Sequence, residues 1–88
     1  MRLRILQTES LDFMFKPYDR VAENGVDLDK YDVVWEEELP EGVELEDIFT
    51  RFNVEIPRGY KGRSLSVSDI VEADGVMWYV DRIGFKRL

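Results

Sequence analysis

The sequence contains no cysteine and no histidine. Without cysteine there is no disulfide staple and no thiolate metal site, so cysteine usage gives no sign of secretion. Without histidine the usual general base is missing, and with it the Ser-His-Asp and Cys-His arrangements and every imidazole metal site. Only carboxylate chemistry stays open to an enzyme, so a non-enzymatic protein with no cofactor and no bound metal is expected. Long apolar runs are missing as well. No stretch approaches the roughly 18–20 apolar residues of a membrane span. The start, Met1-Arg-Leu-Arg-Ile-Leu, breaks its short apolar stretch with two arginines, unlike a signal peptide. A cytoplasmic protein with no membrane partner is expected.

Positive charge is scarce in one place. Between Glu23 and Asp47 lie eleven acids and a single base, Lys30, a net charge of −10. The whole chain carries −7, so everything outside that stretch sums to +3. Concentrated like charge repels itself and destabilises a compact state. It calls for either a solvated face or a basic partner.

The rest of the composition is that of a folded domain. The chain has 88 residues, 44% of them apolar, with five Phe, four Tyr and two Trp. Disorder goes with few aromatic and β-branched residues, which excludes a disordered acidic tail. A chain of this length makes one domain, residues 1–88, with one modest core.

The apolar spacing predicts a small α+β domain: a mostly antiparallel sheet, covered on one face, with two short helices and a C-terminal β-hairpin. Arg2 to Thr8 suits a first strand, and Leu11 to Phe15 either extends it or enters a turn. Pro17 opens a short helix, Tyr18 to Asn24, stopped by Asn24-Gly25. Tyr31 to Glu36 alternates as a strand, with Tyr31, Val33 and Trp35 expected on one face. Leu45, Ile48, Phe49 and Phe52 form the stripe of a helix packed on one side. Glu46 and Asp47 in its first turn and Arg51 in its last suit the helix dipole. Leu65 to Ala73 and Val76 to Asp81 read as two strands joined at Asp74-Gly75, a strong hairpin signal.

Two segments resemble sites and fail on inspection. Asp27-Leu-Asp-Lys-Tyr-Asp32 looks like a calcium loop, but Tyr31 replaces a ligand, the sixth position is not glycine and no Glu closes the loop. Gly59-Tyr-Lys-Gly62 matches the GXXG of an RNA-clamping KH domain. A helix should follow it, whereas Ser64-Leu-Ser-Val reads as a strand, and the acidic net charge opposes direct nucleic-acid binding. Arg58, Lys61 and Arg63 nonetheless make a small basic spot there, so pairing with the acidic middle of a second copy stays open.

The remaining candidate is Glu36, Glu37, Glu38, Glu41, Glu44 and Asp47. Two strand rises separate Glu36 and Glu38 by about 6.6 Å. Two steps along one DNA strand advance about 6.8 Å. Glu41, Glu44 and Asp47 have helical spacing and would continue the row. Such carboxylates would imitate a phosphate track and seat in a basic protein surface, for example a nuclease's nucleic-acid channel. A solvated face on a small protein is the simpler account of the same acids.

Ser64-Leu-Ser-Val-Ser-Asp-Ile-Val71, followed by Trp78-Tyr-Val-Asp-Arg-Ile-Gly-Phe85, resembles the closing signature of the YodL-like domain family. Leu45 to Asn53 resembles its helix, and Lys61-Gly-Arg-Ser64 its turn. Tyr18-Asp-Arg and Tyr31-Asp-Val-Val resemble its N-terminal half. The resemblance implies a setting in Gram-positive bacteria and their mobile elements, and the family has no established catalytic residues to carry over. Taken with the carboxylate-rich face, that setting points to an inhibitor of a defence system, anti-CRISPR-like or antirestriction-like; the resemblance by itself implies a protein-interaction module acting on a cytoskeletal or other host partner. For the second, the expected contact is an apolar surface including Trp78 or Tyr79. The signature itself also reads as fold-specifying: hydroxyls for backbone groups, apolar core residues and a turn.

Overall fold

In the computed structural model, which describes residues 1–88, five strands form one antiparallel sheet. The strands are β1 (Arg2–Thr8), β2 (Tyr31–Glu38), β3 (Ile70–Ala73), β4 (Val76–Val80) and β5 (Phe85–Arg87). Their order across the sheet is β2-β1-β3-β4-β5, which leaves β2 and β5 at the two edges. The helices are α1 (Tyr18–Val21) and α2 (Leu45–Val54). The class is α+β, with the C-terminal hairpin turning at Asp74-Gly75 as expected. Both residues there have positive φ, 50° and 83°, the conformation that Asp-Gly turns supply most cheaply.

The sheet is covered on both faces rather than one. Helix α2 lays Ile48 and Phe52 on the face made by Leu3, Ile5, Val71 and Val80. Phe52 meets Trp35 and Tyr60 edge-on, with ring centroids 6.2 and 5.1 Å away. On the other face, Leu6, Tyr31, Ile70 and Tyr79 pack with Val21, and with Phe13, Tyr18 and Val26 around it. The turn at Leu11–Phe15 and the short α1 belong to this second layer. Burying each such aliphatic or aromatic side chain contributes about 1.5–3 kcal/mol, so neither layer is dispensable in a domain this small.

A bulge in β2 corrects the expected facing of its residues. Ile5 pairs with Trp35 but Leu6 pairs with Val33, so Val34 is an extra residue. Because side chains alternate with period two, one inserted residue reverses every residue beyond it. Tyr31 and Val33 face the α1 layer, whereas Trp35 joins the α2 core. The same reversal places Glu36 beside Arg4 and Glu38 beside Arg2.

The expected strand Leu65–Ala73 is shorter by five residues. Leu65 to Asp69 is irregular, with Leu65, Ser68 and Asp69 buried and a turn at Val67-Ser68 in which Ser68 has φ of 86°. Its hydrogen bonds go elsewhere in the fold: the Ser68 amide donates to the Val80 carbonyl at 3.0 Å, and its hydroxyl oxygen accepts from the Phe15 amide at 2.8 Å. The first helix ends at Val21 rather than near Asn24. Beyond the expected hairpin, Phe85–Arg87 adds a fifth strand.

Candidate functional site

The six predicted acids do not form one outward row. Glu36 accepts from the Arg2 guanidinium and lies 3.7 Å from that of Arg4, which also donates to Glu72 at 2.9 Å. Glu37 points to the opposite face, where Arg51 of α2 grips it with two bonds of 2.6 and 2.9 Å and the Trp35 indole adds a third. The Arg51 guanidinium holds the Glu37 carboxyl below the usual range, against the opposing effect of burial. Glu38 is 3.8 Å from Arg2 and 3.6 Å from the Met1 amino group, which also meets Glu41 at 3.3 Å. Glu44 precedes α2 rather than lying in it, and its amide donates to the Asp47 carboxylate at 3.1 Å, closing the first turn. Helical spacing therefore does not continue from Glu41 to Asp47.

What β2 does present is an edge. Met1 and Leu39 exchange backbone bonds in both directions, 2.6 and 2.8 Å. Alternation in an antiparallel ladder then turns the backbone of Glu37 toward β1 and that of Glu36 and Glu38 outward. No backbone bond outside the ladder involves Glu36 or Glu38. Their side chains remain accessible beside this open edge, 46% and 67% exposed, and Glu41 in the turn that follows is 85% exposed.

The GXXG segment is a structural turn. Gly59 has φ of 88°, and at Gly62 a Cβ would lie 2.5 Å from the Tyr60 hydroxyl and 2.6 Å from Gln7 Oε1. The chain approaches Gln7 this closely because Gln7 both donates to the Arg63 carbonyl and accepts from the Arg63 amide, each at 2.9 Å. Tyr60, whose hydroxyl donates to the same carbonyl at 2.6 Å, has its pKa pushed up to about 12 by burial, so it stays a neutral donor.

Sequence reasoning missed Asp69. It is sealed from solvent, and one carboxylate oxygen accepts from the Ser66 amide at 2.8 Å and the Gln7 amide at 3.0 Å. The other oxygen has no hydrogen-bond partner and sits 3.7 Å from the Arg63 guanidinium. Burial pushes the carboxyl up to about 6, although Ser66, Gln7 and Arg63 favour the charged form. The available signal was a charged residue directly before the apolar Ile70-Val71, a position where a carboxylate is either exposed or strongly held.

The Asp27–Asp32 segment is no metal loop: Asp27 caps a single 3₁₀ turn, Leu28–Lys30, by accepting from the Asp29 amide at 3.0 Å. No group of three carboxylates converges in a metal-holding arrangement. Of the two aromatic contact candidates, Tyr79 is fully buried and cannot meet a partner. Trp78 is half-buried and lines a groove of about 470 Å³ with Val43, Leu45 and Phe85.

The fold and its polar turn define a small α+β domain whose C-terminal half is knitted to β1 through Gln7 and Asp69, and to Phe15 and β2 through Ser68. The family model of the YodL-like domain matches residues 2–88. The chain belongs to that family. No curated protein and no solved structure matches it. No helix is long and apolar enough to cross a membrane.

Proposed function

We propose that this chain is a non-enzymatic, protein-binding inhibitor carried by a mobile element. Its target is a nucleic-acid-binding defence protein, anti-CRISPR-like or antirestriction-like in outcome. It engages a basic surface of that target along β2 and the turn that follows. One observation carries this: β2 is a sheet edge on which Glu36 and Glu38 stand accessible beside outward-facing backbone groups, with Glu41 exposed in the turn that follows. An edge gives main-chain hydrogen bonds, and the flanking acids select a basic strand or groove. Internal partners do not remove these acids from use. Surface pairs of this kind contribute little, and a guanidinium of the target can replace Arg2 at small cost. The one strongly perturbed carboxyl, Asp69, is closed off from any substrate, which favours binding over catalysis.

The test is a triple reversal, Glu36→Lys, Glu38→Lys and Glu41→Lys, read by capture from a bacterial lysate at low and high salt. The wild-type chain is expected to retain a nucleic-acid-binding protein at low salt. The reversed chain, folded by circular dichroism, should lose that protein. Retention of the same protein by both chains at both salt levels would sink the proposal.

A second reading has its own observation, the groove of Val43, Leu45, Trp78 and Phe85. An apolar anchor from a cytoskeletal or other host protein would fit there. Capture would then be insensitive to salt and lost on Trp78→Ala.

A further inference from the structure

Three of the chain's twelve cations, Lys16, Arg20 and Arg82, line one concavity of about 320 Å³, together with Phe15 and Pro17. No carboxylate lines it. In a chain with nineteen acids this is an unusual separation, and the surrounding structure neutralises little of it. Lys16 and Arg20 take part in no ion pair. Arg82 reaches only Asp19, at 3.9 Å, with both side chains largely in water. Nearby Asp81 is committed to the backbone, accepting from the amides of Tyr18 and Arg82 at 3.1 and 2.9 Å.

The walls are fixed by the core. The Lys16 carbonyl accepts from the buried Tyr79 hydroxyl at 2.6 Å, and Tyr18 packs edge-on against the Tyr79 ring. Asp81 ties the start of α1 to the β4–β5 turn that carries Arg82. Phe15 is the least expected part. Its φ is 62°, in the left-handed region that a bulky residue rarely adopts. The Ser68 hydroxyl oxygen holds its amide there. Yet the residue is 54% exposed, so burial returns little for that strain. Arg63, whose guanidinium faces Asp69 at 3.7 Å, lies over the ring at 5.6 Å from its centre and backs the platform.

A strained, exposed aromatic beside two unpaired cations and a third held only in a solvent-exposed pair has a definite complement. Guanidinium groups fork onto phosphate oxygens, and lysine supplies a point charge. A phosphate monoester carries about −1.5 to −2 charges at pH 7, which suits several cations better than one carboxylate does. A flat ring stacks on Phe15. We propose that Phe15, Lys16, Arg20 and Arg82 bind a small phosphate monoester bearing a flat ring, of the nucleoside monophosphate kind.

The experiment is an amide-resolved NMR titration of the full chain with each of the four ribonucleoside monophosphates. Inorganic phosphate, a nucleoside without phosphate, an oligothymidylate and a polyglutamate peptide are run alongside. Saturable shifts at Phe15, Lys16, Arg20 and Arg82 are expected with at least one monophosphate. Phosphate alone should bind more weakly, and the nucleoside should not bind. Arg20→Ala and Arg82→Ala should each weaken binding about tenfold. Phe15→Leu should bring the monophosphate down to the affinity of inorganic phosphate while phosphate binding persists, which separates loss of stacking from loss of fold. The absence of saturable shifts, indifference to both arginine substitutions, or saturation only by the oligonucleotide or the peptide would each overturn the proposal.

Discussion

Glu36, Glu37 and Glu38 each meet a cation of their own chain, whereas Lys16 and Arg20 meet no carboxylate. The acids are crowded in sequence and the cations are sparse, yet in the fold the sparse charges are the free ones. Antiparallel pairing explains the first half: β1 is an arginine-bearing strand, and the register sets Arg2 against Glu38 and Arg4 against Glu36. Such cross-strand opposite charges contribute about 0.2–1 kcal/mol each and offset the repulsion among the glutamates. Net charge along a sequence therefore measures neither partner binding nor repulsion until the register is known. A third kind of acid, Asp69, lies outside the crowded stretch and is the most perturbed of all.

The comparison between paired surface acids and this buried one is sharpest in the pH dependence of stability. Folded, Asp69 releases its proton near 6; unfolded, it does so near its ordinary 3.8. Between those values the folded chain holds the extra proton, so this group's contribution falls as pH rises through the window and levels off above about 6. The change is on the order of 3 kcal/mol across two pH units. Glu37 has the opposite sign. Its folded pKa is lowered, so its contribution is present above the ordinary carboxylate range and is lost as pH falls below it. Urea unfolding of Asp69→Asn from pH 4 to 7 is expected to remove the falling limb and leave the acid limb. An unchanged falling limb would assign that pH dependence to other groups.

Next in size is the pair that joins the acidic strand to α2. Arg51→Leu strips Glu37 of two charge-assisted bonds and leaves only the Trp35 indole. With both side chains about two-thirds or more covered, the expected loss is about 1–2 kcal/mol, seen as a lower urea midpoint with an unchanged slope. Glu37→Gln should cost less, because an amide keeps one acceptor for Arg51. A result within noise for Arg51→Leu would show the pair to be no more than a surface contact.

Much of the architecture was legible because local patterns matched it. The alternation of Arg2–Thr8, the stripe of Leu45, Ile48 and Phe52, and Asp74-Gly75 each specify their element without help from distant residues. Failures came where distant partners decide. Ser64-Leu-Ser-Val-Ser alternates like a strand, but Ser68 takes a positive φ because Phe15, Tyr31 and Val80 satisfy its polar groups. Val34 reads as one more strand residue, and only its pairing with β1 reveals the bulge that redirects Glu36 through Glu38. The cation concavity was illegible for the same reason. Lys16 and Arg82 are 66 positions apart in sequence, and Tyr79 and Asp81 bring them together.

The smallest expected effect bears most directly on the free charges. If Lys16 and Arg20 have no structural partner, removing them leaves the fold as stable as before. Lys16→Ala and Arg20→Ala are each expected to shift unfolding free energy by less than about 0.5 kcal/mol, the usual range for surface sites without special contacts. Stability is then read at low and at moderate salt, because screening weakens long-range attraction to the acidic middle. If either variant loses more than about 1 kcal/mol at low salt, and the loss vanishes on adding salt, that cation stabilises the fold through the whole acidic field. The contrast with Arg51 would then be one of distance and not of kind. If both stay neutral at both salt levels, a buried-face arginine such as Arg51 and an open-face cation such as Lys16 are separate classes. Free cations in this acidic chain would then have no role in stability, and binding would be the remaining reason for their convergence.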